Sequence, residues 1–128
     1  MKIEHIAIWI QDLEKMKDFY QDYFRMDCNT KYENKKKGFS SYFLSFENGA
    51  RIEIMHRADI ADQIKNRGMI QGLTHLAISV GSKDIVNDLT EKMRHDGYEI
   101  HGEPRTTGDG YYESVVLDPE GNLIEITE

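Results

Sequence analysis

Two stretches of this 128-residue chain occur twice. Ile3-Glu4-His5-Ile6-Ala7-Ile8 returns as Leu73-Thr74-His75-Leu76-Ala77-Ile78. Asn48-Gly49-Ala50-Arg51-Ile52-Glu53-Ile54 returns as Glu120-Gly121-Asn122-Leu123-Ile124-Glu125-Ile126. The two histidines are 70 positions apart and the two glutamates 72, so the chain reads as one module, duplicated. A sequence folding this way must satisfy the same pattern of buried and exposed positions in both halves.

In the first half, residues 2–10 are rich in β-formers. Asp12 is placed to cap a helix whose Leu13, Met16, Phe19, Tyr20, Tyr23 and Phe24 recur at helical spacing. Polar turn signals follow Asp27. A strand from Phe39 to Phe46, a Glu47-Asn48-Gly49 turn and a run from Ala50 to His56 then predict a hairpin. Residues 57–72 read as a connector, with a short helix after Asp59 ending at Gly68. The pattern then restarts: strand 73–80, Ser82 as cap, a helix to about Asp96, Gly97 as stop, and strands near 98–103, 111–117 and 122–127. Pro104 and Pro119 are placed in loops, where they remove no ladder bond. The fold class is α+β. Two β-α-β-β-β modules stand in tandem within a single domain, with module boundaries at 1–57 and 73–128 and a linker at 58–72.

Strand side chains alternate between faces. His5, Ala7 and Trp9 share one face and Ile6, Ile8 and Ile10 the other; His75, Ala77 and Ser79 oppose Leu76, Ile78 and Val80 in the same way. Arg51, Glu53 and Met55 oppose Ile52 and Ile54, and Leu123, Glu125 and Thr127 oppose Ile124 and Ile126. The isoleucine faces must meet the helices, leaving both His and both Glu on the opposite side. If each half curls its sheet around that side, the four polar groups converge in a concave interior. An unpaired carboxylate there costs several kcal/mol, a cost that a dication removes. Two imidazoles and two carboxylates suit one divalent ion (Zn, Ni, Co, Mn or Fe) and leave room for substrate in an octahedral shell.

Composition narrows the partners. A net charge of −7 repels phosphate backbones, and the one basic run, Lys35-Lys36-Lys37, sits at a turn signal, so nucleic acid is excluded. The single cysteine, Cys28, supports neither a disulfide nor a thiolate cluster and has no base in view. No apolar stretch approaches the roughly 20 residues of a membrane span, and the strand-like run after Lys2, followed by charge at Asp12, Glu14 and Lys15, is not expected to act as a secretory leader. The expectation is a cytoplasmic protein with a small-molecule substrate and no membrane partner. Arg105-Thr106-Thr107-Gly108-Asp109-Gly110-Tyr111-Tyr112 reads as a lid over an anionic substrate, with Arg105 and Tyr111 as its contacts, or as a plain turn. Trp9 forms a pocket wall or fills the interior, and Arg51 binds an anion or pairs with an acid. His56, His95 and His101 break the repeat and are expected at the surface.

At these residues the chain resembles the vicinal oxygen chelate superfamily along essentially its whole length. The marks are His5 in Ile-Glu-His-Ile-Ala, Glu53 in Arg-Ile-Glu-Ile, His75 in Leu-Thr-His-Leu-Ala-Ile-Ser-Val and Glu125 in Asp-Pro-Glu-Gly-Asn-Leu-Ile-Glu-Ile. Of the ligand sets found in that superfamily, the His-Glu-His-Glu set is that of glyoxalase I. The resemblance implies modules forming a curved mixed sheet or half-barrel, a homodimer, and a metal-dependent lyase or isomerase. In such an enzyme a chelated hemithioacetal loses its C–H proton to a carboxylate, with Glu125 as base and Glu53 assisting. Where bacterial glyoxalases carry an arginine four residues after the first His, this chain has Trp9, which leaves the thiol carrier open. An epimerase of the methylmalonyl-CoA type and a drug-sequestering binder of the bleomycin-resistance type are the alternatives.

Overall fold

The structure, a computed structural model, describes residues 1–61 and 67–128; the body of the connector helix expected between Asp59 and Gly68 lies outside the described residues. The chain divides into two compact units, Met1–Asp62 and Gln63–Glu128.

The first unit contains β1 (His5–Trp9), α1 (Leu13–Phe24), β2 (Asp27–Cys28), β3 (Tyr32–Asn34), β4 (Phe39–Ser45) and β5 (Arg51–Arg57). Its sheet runs β1-β5-β4-β2, with β3 also paired to β4. Asp12 caps α1 by accepting from the Lys15 N–H at 3.0 Å. The helix buries Leu13, Met16, Phe19, Tyr20 and Phe24 on one stripe. Leu44, Ile52 and Ile54 are buried with them, as the alternation requires. The short strands β2 and β3 were not apparent among the polar turn signals. Neither carries an apolar run of its own, and both form by backbone pairing to the free edge of β4, with Asn29 Oδ1 accepting from the Phe43 N–H at 2.7 Å.

The second unit repeats the plan with β6 (His75–Ser79), α2 (Lys83–His95), β7 (Ile100–Thr106), β8 (Tyr112–Leu117) and β9 (Leu123–Thr127), in sheet order β6-β9-β8-β7. Ser82 caps α2 through the Ile85 N–H. Val86, Met93, Val116, Ile124 and Ile126 are fully buried. Thr90 adds a polar pair to this core, its hydroxyl donating to the Val86 carbonyl at 2.6 Å and meeting Ser114 Oγ at 2.7 Å, so neither hydroxyl is left unsatisfied. Among the described residues each unit thus has a mixed sheet and one helix, the second in β-α-β-β-β order and the first with one short strand more.

Pro104 departs from expectation, since it lies inside β7 rather than in a loop. β7 is an edge strand, and its register with β8 skips between Gly102 and Arg105, so the missing N–H falls where no ladder bond is made. Pro119 does lie in a turn, and that turn sets the entry to β9. The buried Asp118 accepts from the N–H groups of Glu120 and Asn122 at 2.9 Å each and from Asn122 Nδ2 at 2.6 Å. Gly121 completes the turn at φ 79°, a left-handed conformation that glycine adopts without strain. Burial pushes the Asp118 carboxyl above its ordinary value, while these hydrogen bonds pull the other way.

Asp118→Ala is expected to destabilise the protein by about 2–3 kcal/mol, because it leaves buried donors unpaired. Denaturant unfolding measures this. A raised carboxyl pKa means that the native state holds more protons than the unfolded chain between the ordinary and raised values, so stability contributed here falls as pH rises through that window. Asp118→Asn, which cannot ionise, should flatten that part of the pH–stability curve.

Candidate functional site

In the first unit, β1 and β5 pair in parallel with Ala7 opposite Glu53. This register brings His5, two residues earlier on β1, diagonally to Glu53, with Nε2 3.9 Å from Glu53 Oε2. Both lie on the face away from α1; Glu53 is half-buried and His5 exposed. The other ring nitrogen, Nδ1, bonds Glu4, which also accepts from Arg51 Nη2. The His5 bond, helped to a lesser degree by Arg51, holds the Glu4 carboxyl below its ordinary value against the opposing effect of desolvation. With Nδ1–H directed at a carboxylate, the neutral ring keeps its lone pair on Nε2, the atom that faces Glu53. Carboxylate-oriented histidines of this kind are common around metals. Phe43 meets the His5 ring edge-on at 5.5 Å and carries the Arg51 guanidinium over its own face at 4.1 Å.

The second unit reproduces the pair. β6 and β9 run parallel with Ala77 opposite Glu125, and His75 Nε2 lies 3.4 Å from Glu125 Oε2. Thr74 stands where the first unit has Glu4, so this histidine has no matching carboxylate behind it. It has another neighbour instead. Glu113, on the same face of β8 and only 8% exposed, accepts from Arg105 Nη2 at 3.2 Å. Burial first, and then the charge of Glu125 and a hydrogen bond to it, raise the Glu113 carboxyl above its ordinary value, with Arg105 acting in the opposite direction. A buried acid beside a second acid is a placement for holding or passing a proton.

The donors therefore come as one His–Glu pair per unit. Among the described residues no group of three or more His, Cys, Asp or Glu side chains is gathered as a metal centre. The donor chemistry fits a divalent ion all the same: each pair offers an imidazole nitrogen and a carboxylate oxygen, half-exposed and close together.

Other expected residues fall as follows. Trp9 is 37% exposed on the His5 face. Arg51 pairs with an acid, Glu4. Arg105 and Tyr112 lie in strands β7 and β8 rather than in the expected loop. Between them, Thr107 and Tyr111 close a turn through a 2.8 Å backbone bond, with Tyr111 exposed. His95 and His101 are at the surface, but His56 is half-buried, its Nδ1 3.1 Å from the Ile10 carbonyl. Parity puts His56 with Ile52 and Ile54 on the helix side, and that alternation was available in the sequence. Glu4 and Glu113 were missed. Glu4 lies just outside β1, where strand parity does not govern it, and the position of Glu113 beside Glu125 depends on the β8–β9 register.

Residues 2–126 match the family model of the Glyoxalase/Bleomycin resistance protein/Dioxygenase superfamily. A probable lactoylglutathione lyase of Vibrio cholerae is 28% identical over 131 aligned positions, spanning 99% of this chain and 90% of that protein. Among solved structures, glyoxalase I from Zea mays superposes with a TM-score of 0.80 at 22% identity; the alignment covers 98% of this chain but only 44% of the maize protein. A glyoxylase/bleomycin resistance protein/dioxygenase domain from Frankia reaches 0.82 at 15% identity, over 99% of this chain and 96% of that one. At these identities the structures testify to the fold, and the family match to the lineage. The chain belongs to the glyoxalase/bleomycin resistance/dioxygenase superfamily.

Proposed function

We propose that this protein is a metal-dependent lyase or isomerase of the glyoxalase I type. Its reaction is proton abstraction next to a chelated carbonyl of a small 2-oxoaldehyde thiol adduct or a related hydroxy-carbonyl. The observation that carries this reading is the repetition of the His–Glu pair in the same parallel register, Ala7 opposite Glu53 and Ala77 opposite Glu125. A structural core needs neither pair, and a duplication that kept both kept four metal donors. The name borne by the Vibrio cholerae relative supports the reaction class.

His5, Glu53, His75 and Glu125 would hold the ion, with His5 oriented by Glu4. A bound divalent ion supplies Lewis acidity, which lowers the pKa of a C–H bond beside an oxygen it polarises. Glu125 takes the proton on its carboxylate and Glu53 assists. Glu113, already buried against Glu125, positions that carboxylate and offers a place for the proton to go next. Trp9, Arg51, Arg105 and Tyr111 contact the rest of the substrate. A cytoplasmic homodimer completes the proposal, with sedimentation as the check on its assembly; among the described residues no helix is long and apolar enough to cross a membrane.

Three outcomes follow. Dialysis against Ni or Zn should load about one ion per chain, with N and O distances of about 2.0–2.2 Å. His5→Ala should lose both metal and turnover. Chelation should lower the melting temperature, since ligand present at about 100 times its Kd stabilises the native state by about 2.7 kcal/mol; an unchanged melting curve in protein shown to be metal-free contradicts this.

Glu125→Gln separates catalyst from binder. The amide keeps an oxygen donor and the volume but cannot accept a proton, so metal should stay while turnover of methylglyoxal with a screen of thiols falls by at least about 10²-fold. Full activity in the metal-loaded variant refutes the base assignment. Failure of the metal-loaded wild type on every chelatable carbonyl tried favours a sequestering role instead.

A further inference from the structure

The face of the first sheet that carries His5 and Glu53 does not end at them. Parity and register continue it through Ala7 to Trp9 on β1, Met55 and Arg57 on β5, Phe39 on β4 and Tyr32 on β3. Trp9 meets Phe39 edge-on at 6.1 Å, the tilted Tyr32 ring lies 6.1 Å from that of Phe39, and the Arg57 guanidinium stands 5.5 Å from the centre of the Trp9 ring. Trp9 is 37% exposed and Tyr32 53%, so aromatic surface that could have been buried is left in water. Ala7 leaves an open, small-residue floor between this cluster and His5. His5 and Trp9 are four positions apart along β1, a span of about 13 Å.

The duplication supplies an internal control. On the helix side the copies agree: Ile8 matches Ile78, Ile52 matches Ile124 and Ile54 matches Ile126. On the site side they part, with Ser79 where the first unit has Trp9 and Thr127 where it has Met55. The helix-side differences, Ile6 against Leu76 and Ile10 against Val80, exchange one aliphatic side chain for another, so packing against a helix does not account for Trp9 against Ser79 on the other face. The aromatic cluster also comes with its own cation in a chain of net charge −7. Asp59 accepts from Arg57 Nε at 2.5 Å, which holds one edge of the guanidinium. Because Asp59 offsets much of the charge, a bare anion should bind weakly here, and ring and anion must be recognised together.

We propose that this end of the face binds the non-reacting part of the substrate, and that this part is an aromatic ring bearing an anionic group, the ring against Trp9 and Phe39 and the anion on Arg57. The assignment rests on the reading of His5 and Glu53 as the reacting end, and names what the other end selects.

Trp9 is the chain's single tryptophan, so its fluorescence reports this surface alone. The full-length protein is titrated with 3-phenylpropanoate, 3-cyclohexylpropanoate and 3-phenylpropan-1-ol, once metal-loaded and once after chelation. The aromatic acid should change the Trp9 emission saturably. The saturated acid and the neutral alcohol should bind at least about 10-fold more weakly, as should the aromatic acid to Arg57→Gln. Arg57→Lys, which keeps the charge without the fork, should fall between, and calorimetry on Trp9→Phe should retain part of the binding that Trp9→Leu loses. Equal binding of the two acids, or no saturable change with 3-phenylpropanoate, overturns the proposal. The chelated sample separates the two ideas: a chain that binds no metal but keeps the selective Trp9 response supports this subsite without its catalytic neighbour, and a metal-binding chain with no such response rejects the subsite alone.

Discussion

The parallel pairing of the first strand of each module with its last is the constraint from which the rest follows. In a parallel ladder, residues in register point the same way, so setting Ile6 and Ile8 beside Ile52 and Ile54 assembles one apolar surface from two sequence-distant strands. A fully buried isoleucine side chain such as Ile54 contributes roughly 1.5–3 kcal/mol relative to exposure, and a slip of one residue would turn all four to the wrong face. The same register, held for the sake of the core, brings His5 toward Glu53 and His75 toward Glu125. The polar pairs are thus positioned by hydrophobic burial on the other side of the strands.

Duplication then allows division of labour. The helix faces remain nearly interchangeable, because both must fit the same geometry of one helix on a curved sheet. The opposite faces have diverged. In the first unit a carboxylate, Glu4, orients the histidine, and Phe43, Trp9 and Phe39 make the surroundings aromatic. In the second, Glu113 and Arg105 surround Glu125 with charge. A glutamate beside aromatic rings and a glutamate beside another acid meet different electrostatic environments, which is the usual way in which two like residues acquire different roles. The proposed roles follow this difference, proton exchange at Glu125 and recognition of an organic body on the first unit.

Much of this was legible in the chain. Alternation, helical spacing, the caps Asp12 and Ser82 and the stop at Gly97 are local signals, and each element they mark is present. What was misread depended on pairing. Pro104 sits within a strand because that strand is an edge with a broken register; β2 and β3 exist because β4 had an open edge to offer; and His56 is half-buried because it shares parity with Ile54. None of these is a property of a short window of sequence except the last, where strict alternation would have sufficed.

The sequence by itself determined the duplication, the module plan, the two faces of every repeated strand and the repeated His–Glu pattern on which the proposed metal site rests, because periodicity and repetition are carried by residue order alone. Only the tertiary structure decided that Glu4 would reach His5, that Glu113 would lie buried beside Glu125, and that Trp9, Phe39, Tyr32 and Arg57 would form one exposed cluster. Those neighbours come from different strands, and their meeting depends on which strands pair and in what register, a choice made by the burial of the opposite face.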